Sequence, residues 1–133
     1  MAQGTAQVKV QTTIGKQYKQ NRLTGLTANA FTYIALGTGN TADAAVGDTT
    51  LTTETSATGL GRSSVTPTVS TAGVATWTKT FTNSSGSSVV LSELGILNNS
   101  SGGQLYIHVT FGTSNFITLA NGAALIVTIT DAE

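Results

Sequence analysis

At 133 residues without a cysteine, the chain has room for one hydrophobic core and carries no disulfide or thiolate chemistry. Charged residues are 9% of it, against roughly 25% in ordinary soluble domains, and the formal net charge is zero. That balance argues against a nucleic-acid binder held by excess positive charge, and the short apolar runs, broken by Thr and Gly, argue against a membrane-spanning helix.

Alternation begins near the N-terminus. Ala6, Val8 and Val10 fall on one side, with Gln7, Lys9 and Gln11 on the other, which predicts a half-buried strand over 6–12. Lys9 suits a sheet edge, where a charge discourages stray pairing. Residues 13–30 are polar and basic. Ile14, Tyr18 and Leu23 match a helical stripe only loosely and Gly15 weakens it, so an irregular arm is expected. Residues 1–30 are accordingly read as an N-terminal arm with an edge strand, and 31–133 as the β domain. The first residues show no apolar stretch of the kind that marks a secretory signal.

A strand over 31–36 ends at the turn Gly37-Thr38-Gly39-Asn40. Residues 41–61 read as an ordered loop with one helical turn at most, capped by Asp48. Strands then recur over 62–70, 74–82, 89–97, 105–111, 115–119 and 123–130, separated by Gly, Ser and Asn turns. Pro67 places its strand at an edge, and Asn121-Gly122 is the pair favoured in a type I′ hairpin turn. Thr- and Val-rich strands at this spacing predict an all-β fold: an antiparallel β-sandwich, jelly-roll-like or barrel-like, with an extended N-terminal arm.

The hairpin over 89–111 dominates the core. Pairing Leu97 with Leu105 puts Leu91, Leu97, Leu105, Ile107, Val109 and Phe111 on one face, the expected core. Leu94, Ile96, Tyr106 and His108 fall on the other, too apolar for solvent, and are expected to form a self-association face unless the arm or the long loop covers them. Glu93 lies on the core face. An unpaired buried carboxylate is very costly, so it needs a partner, for which Arg62 is the candidate, with Gly95 leaving room for an incoming donor or a bulge.

No catalytic, cofactor or metal site is expected. Gly37-Thr38-Gly39-Asn40-Thr41-Ala42 matches a relaxed dinucleotide pattern, but no crossover helix follows to hold a pyrophosphate. Ser92, His108 and a carboxylate invite a triad reading, yet nothing around Ser92 supplies an oxyanion site. The single histidine and scattered acids lack metal-ligand clustering. The Asn-x-Ser/Thr sites at Asn83, Asn98 and Asn99 read as exposed turns. Lys9, Lys16, Lys19 and Arg22 all precede the first acid, Asp43; with Val8 and Val10 they are expected to contact an acidic partner protein, Val8–Val10 adding a strand to it.

Six blocks in order (FTYIALGTGNTA, GDTTLTTE, GLGRSSVT, ATWTKTFTNSSG, SELGILNNSSGGQLYIHVTF and NGAALIVTIT) resemble a group of small tailed-bacteriophage virion proteins. The likeness covers about residues 31–130, leaves the arm outside, and carries over no catalytic residue. It implies a non-enzymatic virion component made in the bacterial cytoplasm. The preferred expectation is a capsid-decoration (cement) protein, a homotrimer bound to the major capsid protein. The alternative is a tail-fibre or baseplate module that contacts host glycans.

Overall fold

Strands form where β-branched residues alternate with side chains bound for the core, and every pairing among the described residues is antiparallel. The computed structural model describes residues 7–26, 28–39 and 43–132. In chain order these form β1 (Gln7–Gln11), α1 (Thr13–Leu23), β2 (Tyr33–Gly37), β3 (Ser63–Ser64), β4 (Thr68–Val69), β5 (Ala75–Thr82), β6 (Val89–Leu91), β7 (Glu93–Leu97), β8 (Leu105–Phe111), β9 (Ile117–Leu119) and β10 (Ala124–Asp131). A five-stranded sheet has the order β1-β8-β7-β2-β3, a three-stranded sheet the order β10-β5-β4, and β6 pairs with β9. Among the described residues the fold is all-β with one α-helix and a single 3-10 turn (Thr113–Asn115), as the strand rhythm predicts, and β1 is an edge strand.

One core joins the three sheets. Ile34, Leu36, Leu94, Ile96, Ile107, Val109 and Phe111 of the large sheet meet Trp77, Phe81, Leu125, Val127 and Ile129 of the second and Leu91, Ile117 and Leu119 of the third. Fully burying a side chain of this kind contributes roughly 1.5–3 kcal/mol. The chain changes sheets at Ser92: its N–H donates to Gly37 O (2.9 Å) and its carbonyl accepts from Phe111 N–H (2.9 Å), which splits the expected strand over 89–97 into β6 and β7.

The expected division of faces is corrected. Leu97 does pair with Leu105, but a bulge follows and Ile96 pairs with Ile107, leaving Tyr106 as the extra residue. Leu94 and Ile96 therefore share the core face with Ile107, Val109 and Phe111, while Glu93, Gly95, His108 and Thr110 line the outer face. Leu97 and Leu105 pack in a separate outer cluster with Ala35 and Leu51.

The irregular arm is also corrected, because residues 13–23 are helical. Thr12 caps α1, accepting from Gly15 N–H at 3.0 Å. At the other end Leu26 N–H donates to Asn21 O (2.7 Å) and Gly25 N–H to Arg22 O (3.3 Å), with Gly25 at φ +81°, a Schellman ending. Gly15 helps the helix pack, since a Cβ there would lie 2.4 Å from Tyr106 Cα.

Two turn readings change as well. The segment between β9 and β10 joins different sheets, and Gly122 (φ +85°) alone of its Asn-Gly pair has positive φ, so the turn is not type I′. Asn83 and Asn98 are buried: Asn83 Nδ2 donates to Ser87 O (2.8 Å) and Leu119 O (2.7 Å), and Asn98 Oδ1 accepts from Gln104 N–H (2.7 Å).

Candidate functional site

The bulge brings Glu93 and His108 to one face, and the loop over 43–55 completes the cluster with Asp48. His108 Nε2 lies 2.8 Å from Glu93 Oε2 and Nδ1 lies 2.6 Å from Asp48 Oδ2. Glu93 also accepts from Thr52 N–H (3.0 Å, Oε2) and Thr53 N–H (2.8 Å, Oε1). Glycines make the space: a Cβ on Gly37 would lie 2.4 Å from Glu93 Cγ, and one on Gly39 2.8 Å from Oε1. The described part of the Gly37-Thr38-Gly39 motif thus cradles this protein's own carboxylate; Asn40 to Ala42 lie outside the described residues.

Burial alone would make His108 lose its proton more easily, but hydrogen bonds and negative charge from Glu93 and Asp48 outweigh it, so its pKa is raised. Burial would likewise raise the pKa of Glu93, but the His108 bond, the Thr53 and Thr52 amides and the imidazolium charge hold it below the ordinary 4.5. The His108 ring thus sits between Glu93 and Asp48, with one carboxyl group at each ring nitrogen. Each ring nitrogen faces a carboxyl oxygen, so neither is turned to a hydroxyl, and Ser92 Oγ donates instead to Gly39 O. Among the described residues no group of three or more His, Asp or Glu side chains is arranged to hold a metal ion.

This cluster fastens the loop over the outer face. Ala44 N–H donates to Thr110 Oγ1 (3.0 Å), Thr13 N–H to Val46 O (2.7 Å), and Leu51 packs on Ala35, Leu97 and Leu105. Arg62 does not meet Glu93. It forks onto Glu54 (Nε–Oε2 2.9 Å, Nη2–Oε1 2.5 Å) and donates to Asn99 O (2.8 Å) and Gly102 O (2.7 Å), tying the loop's end to the β7–β8 turn.

The expected self-association residues are internal to the subunit. Leu94 and Ile96 lie in the core, His108 lies under the loop, and Tyr106 lies under α1. Tyr106 stacks on Phe31 (centroids 4.9 Å apart), meets Trp77 edge-on (6.4 Å) and donates to Asp131 Oδ2 (2.5 Å). Burial and then this carboxylate push its phenol pKa well up. The expected arm residues divide. Val8, Lys9 and Val10 belong to a strand bonded to β8, and Lys9 Nζ donates to Thr130 O (2.6 Å). Lys19 Nζ reaches Tyr106 OH (3.3 Å), whereas Lys16 and Arg22 are exposed on α1 and form no ion pair among the described residues; Arg22 Nη1 donates to Ala28 O (2.5 Å). Beside α1 runs a groove of about 360 Å³ whose lining includes Lys19, Arg22, Phe31, Pro67, Val69 and Trp77.

Sequence reasoning found Glu93 and its need for a donor but missed Asp48 and the Glu93–His108 contact. No family model matches the chain, and neither does any curated protein or solved structure.

Proposed function

We propose that this chain is a non-enzymatic structural component of a bacteriophage virion, a head-decoration subunit that docks on an acidic surface of the major capsid protein through α1. One observation carries the docking reading. Lys16 and Arg22 stand exposed on the helix without an ion pair among the described residues, while Asp48, Glu54 and Glu93 are all engaged within the subunit. The helix face is therefore a local excess of positive charge on a chain of zero net charge, the complement of an acidic patch. The adjoining groove offers an apolar slot for a side chain beside that patch. The virion assignment itself rests on the resemblance of residues 31–130.

β1 is a strand of the large sheet, so charge reversal tests the docking better than truncation. The purified protein is expected to bind emptied, expanded capsids at a stoichiometry set by the lattice. Binding should weaken with salt and be lost in the Lys16→Glu, Arg22→Glu double variant. Equal binding by that variant would sink the docking mechanism. A tail-fibre or baseplate module, the alternative, predicts only a few copies per particle at the tail. Glycan stacking there has no platform in Trp77 or Tyr106, which are buried.

A further inference from the structure

We infer that the edge of β10, which no described strand pairs, is a self-pairing surface, on which a second copy of this chain adds its own β10 antiparallel about a two-fold axis at Ile126. Asn83 N–H donates to Ala123 O (2.9 Å), which fixes the alternation of the β5–β10 ladder. Leu125, Val127 and Ile129 exchange bonds with β5, and Ala124, Ile126, Thr128 and Thr130 turn their N–H and C=O groups outward. Among the described residues only one of those outward groups is engaged, Thr130 O, by Lys9 Nζ at 2.6 Å. The engagement confirms the direction of the row, and it sits at the row's end.

Among the described residues the other sheet edges are short or defended. β3 and β4 are two residues long, and Pro67 immediately precedes β4. β6 and β9 have three residues each, and β1 carries Lys9. β10 runs for eight residues, paired with β5 without a register shift, and has no Lys, Arg, Pro or Gly. An open, regular edge of Ala, Leu, Ile, Val and Thr is a template for another strand.

The register follows from the side chains. Bonding Ile126 to Ile126 of the second copy joins two large apolar side chains that are each 44% exposed. It sets Ala124 opposite Thr128 in both directions and leaves the Lys9–Thr130 contact outside the pairing. Residues 124–130 carry no charge, so nothing on the strand opposes the approach. The three-stranded sheet then continues across the axis, with Thr76, Thr78, Thr80 and Thr128 on its outer face. A pair of this kind takes over the self-association expected of Leu94, Ile96, Tyr106 and His108, all of which are internal. It is independent of the capsid-docking helix, so losing it would leave the charge-reversal test intact.

Sedimentation of the intact protein across a concentration series tests the inference. The expected species is a dimer, twice the 13.5 kDa chain. Thr128→Pro removes a donor that β5 does not use, and Ile126→Lys sets two like charges on the axis. Both variants should weaken dimerisation at least tenfold while keeping the wild-type Trp77 emission and the unfolding midpoint that the wild type shows when diluted to monomer. The inference is overturned by a wild-type monomer throughout the series, by a trimer, or by a dimer that Ile126→Lys leaves unchanged. If Thr128→Pro disturbs the fold, Ile126→Lys alone decides.

Discussion

The outer faces of the two main sheets are finished in opposite ways. On the five-stranded sheet a loop covers the face, and the contact is made by a buried histidine ring, two carboxyl groups and two backbone amides. On the three-stranded sheet the outer face is a field of exposed threonines with Ile126 among them, and no described strand pairs with its β10 edge. A chain with few charges has placed several of them where they close the structure and left an uncharged face and edge outward. The difference separates a part of the molecule devoted to holding itself together from a part available to neighbours.

The largest effect that would test this contrast is at Glu93. Glu93→Ala leaves His108 and the Thr52 and Thr53 amides without their acceptor, and removing one partner of a buried pair costs roughly 3–5 kcal/mol. A urea titration showing a loss below about 1 kcal/mol would mean the cluster does not hold the loop. Gly37→Ala should cost about 1–3 kcal/mol, because its Cβ would overlap Glu93. Stability should also depend on pH in two limbs. The raised pKa of His108 contributes stability that is full below the ordinary 6.5 and lost as pH rises through the folded value. The lowered pKa of Glu93 contributes stability that is full above 4.5 and lost as pH falls through its folded value. Both contributions are complete between those two ordinary values, and His108→Asn should abolish the alkaline limb. At the other extreme, Thr78→Val on the open face should change stability by no more than about 0.5 kcal/mol. A large loss there would erase the contrast.

Much of the strand order was legible because Thr, Val and turn residues mark it locally, and β8 runs over the very residues expected, Leu105–Phe111. What was not legible depended on single-residue events. The bulge at Tyr106 moves every later side chain of β8 to the opposite face, so strict alternation puts His108 away from Glu93 when it lies beside it. The helix was missed although its signals are present. Thr12 caps it and Gly25 ends it, but Gly15 counts against a helix on propensity, and only the close approach to Tyr106 explains that glycine. Asp48 comes from a loop with no periodicity, and nothing short of its tertiary position links it to a histidine 60 residues away. The Glu93 problem itself was readable, because burial of a carboxylate demands donors whatever the fold; the identity of those donors was not.

Backbone hydrogen exchange, followed residue by residue at several protein concentrations, tests the central contrast most directly. The amides of Thr52 and Thr53, which donate to Glu93, should be strongly protected at every concentration. The outward amides of Ile126 and Thr128 should exchange quickly in dilute solution and gain protection as the protein is concentrated. Fast exchange at Thr52 and Thr53 together with concentration-independent protection along β10 would contradict the account.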